Sequence, residues 1–129
     1  MNRTTIQPAS LLDPRPRYSQ GIQAAGGSLL FIAGQTAVDA SGQIVGKGDI
    51  ERQAHQVFEN LAAVLEAAGG SFANLMMTTT YHTDIASRAA FNEVRQQYDP
   101  RVAPANTLVV VKGLANEDFL IEIDGIAVI

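Results

Sequence analysis

Two carboxylates near the C-terminus are the residues whose spacing best suits acid–base chemistry. Glu122 and Asp124 are separated by one residue in an apolar run that is typical of a β-strand, so both side chains project from the same face, about 7 Å apart. A solvated or ion-paired strand face explains Asp124 equally well. For Glu122 we favour a functional role, because a carboxylate that enters an apolar surface needs a partner or a chemical task.

Other chemistries find little support in the sequence. The chain has no Cys and two His, and neither His55 nor His82 has the spacing of a metal ligand, so we expect no metal. We expect His55 to face solvent on a helix and His82 to lie near the end of a strand. Residues 42–48 are one residue short of a phosphate-binding loop and have Gly48 where Ser or Thr would hold magnesium, which predicts a turn. No G-x-S-x-G motif marks a hydrolase nucleophile.

Size and charge narrow the class of protein. A chain of 129 residues has the length of one domain, 1–129. Its 9 basic and 13 acidic residues give a net charge of −4, and because they include no Lys/Arg cluster we expect no nucleic acid partner. No window reaches the roughly 18–20 apolar residues of a membrane span, and the N-terminus lacks the apolar core of a signal peptide. We therefore expect a cytoplasmic protein that does not bind membranes.

Turn residues and periodicity predict the elements that hold these carboxylates. Three of the five prolines lie within residues 1–16 and predict an extended arm. Two apolar stretches flank Gly26-Gly27 and predict a β-hairpin. Asp49 is a good N-cap for the helix that follows, and Gly69-Gly70 ends it. The predicted order is β-β-α-β-α-β-β, with strands at 18–24 and 29–36, a helix at 50–68, a strand at 75–82, a helix at 87–98 and strands at 107–112 and 119–129.

The predicted sheet has two faces to cover, and two helices cover only one of them. The runs LLFIAG and LVVVK are continuously apolar, which is typical of strands buried on both sides. A second copy of the chain is the simplest cover for the other face, because symmetric homo-oligomers are common among soluble proteins. We expect an obligate oligomer with sites between subunits. A small sheet that curls over itself is the alternative.

Six segments together resemble the Rid family of reactive intermediate deaminases, also called RidA-type or YjgF-like proteins. The segments are YSQG at 18–21, FIAGQT at 31–36, QVFENLAAVLEAAGG at 56–70, FNEV at 91–94, PANT at 104–107 and IEIDGIAV at 121–128. The resemblance implies a chorismate-mutase-like α+β fold, with one mixed sheet and two helices packed on one of its faces. It also implies a homotrimer with three clefts between subunits.

The same resemblance implies a chemistry. The best-known branch of the family hydrolyses reactive 2-imino acids or their enamine tautomers and releases ammonia, without a metal or an organic cofactor. By resemblance, Glu122 holds the attacking water, Gly34 presents backbone groups to the small-molecule metabolite, Tyr18 lines the cleft and Asn92 lies at its edge. These roles suit the groups, because a carboxylate orients water and accepts a proton while backbone dipoles stabilise a tetrahedral centre.

One position departs from the deaminase pattern. Asn106 stands where those deaminases have an arginine that clamps the substrate carboxylate, so a contact worth roughly 1.5–3 kcal/mol, or about 10- to 150-fold in affinity, is missing. Leu108 replaces a frequent cysteine and makes the pocket more apolar. Arg17 or Arg101 could supply a substitute charge.

The alternative function is a binding trimer, for a small molecule or a partner, that has lost deaminase activity. A ribonuclease fits the acidic balance least well.

Overall fold

In the computed structural model, which describes residues 2–98 and 103–129, six strands and two α-helices position the predicted site. The strands are β1 (Asn2–Ile6), β2 (Gly21–Ala25), β3 (Leu29–Gln35), β4 (Leu75–His82), β5 (Ala105–Val110) and β6 (Ile121–Val128), and the helices are α1 (Ile50–Ala67) and α2 (Arg88–Tyr98). Short 3-10 turns span Phe72–Asn74 and Ile85–Ser87. Among the described residues, no helix has the length and apolar character needed to cross a membrane.

Helix α1 forms as its local signals predict. The side chain of Asp49 accepts a hydrogen bond from the backbone N–H of Arg52 (3.1 Å) and caps the first turn. At the other end Gly69 adopts a φ of +85°, and the N–H of Gly70 donates to the carbonyl of Leu65 (2.8 Å). The buried positions recur every three or four residues, which confirms the predicted amphipathic helix. They are Gln53, Ala54, Gln56, Val57, Phe58, Leu61 and Leu65.

A buried amide ties α1 to the start of β6. Gln53 is fully buried, and its Nε2 donates to the carbonyl of Asp118 (2.7 Å). Its Oε1 accepts from the N–H of Leu120 (2.8 Å). Because both ends of the amide are satisfied, its burial carries no unpaired polar group. The segment that leads into Glu122 is thereby held against the helix.

The mixed sheet has the strand order β3-β6-β4-β5. Strands β4 and β5 are parallel, whereas β6 is antiparallel to both of its neighbours, β3 and β4. Helices α1 and α2 pack on one face of this sheet, where the hydrophobic core joins Phe58, Phe91, Ile121 and Ile123. The predicted α+β class, with two helices on one face of a mixed sheet, is confirmed. Helix α2, predicted at 87–98, begins at Arg88, because Ser87 belongs to the preceding 3-10 turn that Asp84 caps.

The N-terminal region differs from the prediction. Residues 2–6 form a strand rather than an unpaired arm, and β2 pairs antiparallel with β1 instead of making a hairpin with β3. The reason lies at Gly27, where φ is +79° and an added Cβ would come within 2.5 Å of the carbonyl oxygen of Ile129. This close approach lets Ser28 and Ile129 exchange backbone hydrogen bonds of 2.8 and 2.9 Å. After the two glycines the chain therefore continues as β3, which pairs with β6 and not with β2.

The face of the four-stranded sheet opposite the helices is called the open face below. On β3, Leu29 and Phe31 are 66% and 71% exposed, and Ile126 on β6 is also exposed. Large apolar side chains at neighbouring exposed positions mark an interaction surface more often than a free one. The open face thus has the character expected of a subunit contact, and the oligomer remains a prediction.

Candidate functional site

A β-bulge places Gly34 against Glu122 on the open face. Between the pairs Ile32–Gly125 and Gln35–Ile123 the strand β3 contains one extra residue relative to β6, which kinks the strand locally. An added Cβ at Gly34 would overlap the Glu122 carboxylate, whose Cδ would be 2.8 Å away. Glycine is therefore required at this position if the carboxylate is to lie beside the exposed backbone.

The carboxylates Glu122 and Asp124 differ in their surroundings. Asp124 accepts hydrogen bonds from the hydroxyl of Tyr81 (2.9 Å) and from the N–H of Thr79 (3.2 Å), and the first of these raises the pKa of Tyr81. No residue in the described ranges 2–98 and 103–129 donates a hydrogen bond to the carboxylate of Glu122. Burial, and then the negative charge of Asp124, raises the pKa of Glu122. Glu122 is thus the carboxylate free to bind and deprotonate a water.

Four of the predicted residues meet in a second place, a cavity of about 780 Å³ on the helix side of the sheet. We call it the α2 cavity. Its walls are residues 12–18, one face of α2 and the adjoining positions of β4 and β5. The predicted residues that line it are Tyr18, Asn92, Asn106 and Leu108. The structure therefore brings these four together and places Gly34 and Glu122 elsewhere.

The amide of Asn106 is already engaged by the protein. Its Nδ2 lies within 2.9 Å of the Thr78 hydroxyl oxygen and within 3.1 Å of the Thr80 hydroxyl oxygen. An amide has two N–H donors, so those of Asn106 are directed at β4. A substrate carboxylate therefore gains little from Asn106, in contrast to the arginine that the deaminase pattern has at this position.

The two groups of predicted residues lie on opposite faces of the sheet. In the register, Asn106 pairs with Thr78 and bonds its side chain. Glu122 pairs with Tyr81, whose hydroxyl contacts Asp124 on the open face. Side chains alternate along a strand, so Thr78 and Tyr81 project from opposite faces of β4. A site that uses both Asn106 and Glu122 therefore needs two copies of the chain.

Two cavity residues on α2 were missed by the sequence analysis. Arg88 and Arg95 are seven residues apart, or two helical turns, and both line the α2 cavity together with Asn92. The sequence signal was this spacing. Arg17, one of the two substitutes considered for the missing arginine, lines the same cavity. The other, Arg101, lies outside the described residues.

The two histidines take structural positions. His55 does not simply face solvent, as predicted, because its Nδ1 lies 2.8 Å from the hydroxyl of Tyr98 on α2. His82 is fully buried at the end of β4, with its Nδ1 2.7 Å from the Ser87 hydroxyl and its ring edge-on to Phe91. Within the part of the chain that the structure describes, no group of three His, Cys, Asp or Glu side chains is placed to hold a metal ion.

Burial of His82 makes the stability of the protein sensitive to acid. Burial, and then the charge of Arg88, lowers the pKa of His82 below its ordinary 6.5. Below that pH the unfolded chain binds a proton that the native chain does not, so stability is complete above about pH 6.5 and is lost as the pH falls. We expect a slope of up to about 1.4 kcal/mol per pH unit below that point.

Urea unfolding at intervals from pH 5.5 to 7.5 measures this slope. His82→Gln should flatten it, and His55→Gln, which alters the half-buried histidine partner of Tyr98, should leave it in place. An unchanged slope in His82→Gln would show that another group is responsible.

Comparison with known proteins places the chain among relatives of one fold. The sequence model of the family described as Endoribonuclease L-PSP matches residues 9–129. A RutC family protein of Pyrococcus horikoshii is 46% identical over 117 residues, which cover 88% of this chain and 90% of that protein. A RutC family protein of Synechocystis is 42% identical over 131 residues, with 100% and 98% covered. YyfB of Yersinia pestis, from the conserved Rid protein family, matches with a TM-score of 0.91, 34% identity and 100% of both chains covered.

Proposed function

Because this chain belongs to the Rid family, whose sequence model is described as Endoribonuclease L-PSP, we propose that it hydrolyses a small imine or enamine metabolite and releases ammonia without a cofactor. The observation that carries this proposal is the Glu122 carboxylate, which lies beside the exposed backbone of Gly34 and accepts no hydrogen bond from the described residues. The reaction takes place between copies of the chain in a homotrimer, since the α2 cavity and Glu122 lie on opposite faces of the sheet.

The chemistry requires one base and one binding surface. Glu122 takes a proton from water as the oxygen attacks the imine carbon, which gives a tetrahedral carbinolamine. Glu122 passes this proton to the nitrogen, then takes the hydroxyl proton of the carbinolamine and transfers it to the nitrogen as well. The carbon–nitrogen bond breaks, a carbonyl compound and ammonia leave, and the carboxylate is regenerated. Backbone groups of Gly34 stabilise the tetrahedral centre, because fixed dipoles in a partly dry site need no reorganisation. Tyr18 and Asn92 of the neighbouring copy hold the substrate.

Ammonia release from freshly generated imines and enamines tests this proposal. Wild-type protein should accelerate release from at least one compound of a panel that starts with 2-iminopropanoate. Glu117→Gln, which removes an exposed carboxylate, is a matched control and should retain the full rate. Turnover of no compound, together with saturable metabolite binding, would instead support the alternative binding function.

One observation favours that alternative. The donors of Asn106 are directed at Thr78 and Thr80, so the protein has no charge at the position where the deaminase pattern clamps a carboxylate. A binding trimer needs only the cavity and not the chemistry. RNA cleavage is the weaker candidate, because Glu122 and Asp124 give the open face a negative charge that repels phosphate.

The acid side of the pH–rate profile should respond to Asp124. Activity requires ionised Glu122, so the rate should fall as the pH decreases through the raised pKa of this carboxyl. Asp124→Asn removes the neighbouring negative charge, which stabilises the ionised form and moves the fall in rate to lower pH. Burial is the larger cause of the raised pKa, so the movement should be partial.

Profiles of kcat/KM from pH 4.5 to 8 make the comparison. Tyr81→Phe is the matched control, because it removes the 2.9 Å hydrogen bond to Asp124 and keeps both carboxylates. Its profile should not move to lower pH. A profile of Asp124→Asn that superposes on wild type would exclude Glu122 as the titrating base.

A further inference from the structure

The α2 cavity carries a charge of the opposite sign to that of the whole chain. The net charge of the protein is −4, yet among the described residues four arginines and one aspartate line the cavity. The aspartate, Asp13, is paired with Arg15 at 2.5 Å. Arg17, Arg88 and Arg95 have no acidic partner among the described residues. Three cations therefore face one cavity without a paired carboxylate from residues 2–98 and 103–129.

Arg95 is the cation with the strongest need for a partner. Its Nη2 is buried and has no hydrogen-bond partner among the described residues. Burial, and then the like charge of Arg17, lowers the pKa of Arg95. Buried guanidinium groups are normally paired, because an unsatisfied charge away from water is unfavourable. An anion bound in the cavity would supply this partner.

The remainder of the cavity sets the character of the ligand. Arg17 and Arg88 are exposed at its rim, whereas its floor is built from core residues that are at most 6% exposed. These are Phe58, Leu61, Phe91 and Ile123. A volume of about 780 Å³ is ample for a small organic molecule. The ligand that suits this arrangement has one anionic end and one apolar end.

We propose that Arg95 binds the carboxylate of the substrate in the α2 cavity, in place of the arginine absent at position 106, and that the apolar floor selects an imine with a bulky apolar side chain. Arg17 and Arg88 add charge at the rim, and the apolar side chain rests on Phe58 and Phe91. This inference rests on the proposed function and names the residue that recognises the substrate carboxylate. A planar guanidinium suits a carboxylate because it forms two parallel hydrogen bonds.

Calorimetric titration with three stable compounds tests the proposal. Phenylpyruvate carries oxygen in place of the imine nitrogen, phenylacetone lacks the carboxylate, and pyruvate lacks the ring. Wild-type protein should bind phenylpyruvate more tightly than either of the others. Arg95→Met should weaken phenylpyruvate binding by roughly 10- to 150-fold and leave phenylacetone binding unchanged. Arg52→Met, which removes an exposed arginine of α1, should alter neither.

The stability of the variant separates binding from folding. Arg95→Met removes a half-buried cation whose buried Nη2 has no hydrogen-bond partner among the described residues, so its Tm should equal or exceed that of wild type. Equal phenylpyruvate affinity in Arg95→Met and Arg52→Met would overturn the proposal, as would equal affinity of wild type for phenylpyruvate and phenylacetone.

The outcome is distinguishable from that of the deaminase proposal. If phenylpyruvate binding depends on Arg95 but the corresponding imine releases no ammonia, the role of Arg95 in carboxylate binding is supported and the deaminase activity is contradicted. Ammonia release with a KM that Arg95→Met leaves unchanged supports the deaminase and excludes Arg95 as the residue that binds the carboxylate.

Discussion

Glu122→Gln is expected to lower ammonia release by roughly 10²- to 10⁴-fold, the usual contribution of a positioned general base. The glutamine has nearly the same volume, so the backbone of Gly34 and the bulge of β3 should keep their positions. The amide does not accept the proton of the attacking water at neutral pH. KM should change little, because substrate is held mainly by the α2 cavity of the neighbouring copy.

Steady-state ammonia release from 2-iminopropanoate, with a bulky imine as second substrate, measures this effect. Glu117→Gln serves again as the control for loss of one exposed carboxylate. The Tm of Glu122→Gln should be no lower than that of wild type. The substitution removes a carboxyl whose ionised form is disfavoured by burial and by the charge of Asp124. Retention of a tenth or more of the wild-type rate, as an order of magnitude, would remove Glu122 from the role of base.

The elements with local signals could be predicted from the sequence. Helix α1 was predicted at 50–68 and is found at Ile50–Ala67, because its cap, its apolar period and its terminal glycines all lie within the segment itself. Strand β4 was predicted with its bounds, Leu75–His82, from its alternation and its threonine content. When all the signals for an element lie within its own segment, tertiary contacts rarely change the secondary structure that those signals predict.

Pairing partners were harder to predict. The glycines at 26 and 27 do have positive φ, as a hairpin turn requires, yet the partner of the following segment is the C-terminal strand. The prediction that His55 faces solvent was wrong for the same reason, since its partner Tyr98 lies 43 residues away. A short-range pattern carries no information about a contact that forms only when distant segments meet.

The site residues needed two kinds of information. Spacing alone placed Glu122 and Asp124 on one strand face, whereas Tyr18, Asn92, Asn106 and Leu108 were named by resemblance to the Rid family. Arg95 was missed because a polar residue on an amphipathic helix is ordinarily on the solvent side. Only the segment 12–18, folded over α2, turns that side of the helix into the wall of a cavity.

The opposite orientation of Asn106 and Glu122 leads to the second large effect, complementation between inactive variants. Glu122→Gln removes the base on the open face. Leu108→Trp fills the α2 cavity beside Asn106 and should also be inactive. In a ring of identical subunits each site takes its open-face half from one copy and its cavity half from the next. A random mixture of the two variants therefore contains some sites in which both halves are intact.

Co-expression of the two variants with different tags, followed by isolation of the mixed oligomers, tests most directly whether each site is shared between copies. Each mixed trimer contains one site in which both halves are intact, so the isolated mixed trimers should recover about one third of the wild-type rate of ammonia release. Each variant alone should stay inactive, and light scattering should give the mass of a trimer. Mixed trimers that remain as inactive as their parents, or a mass equal to one chain, would contradict the account.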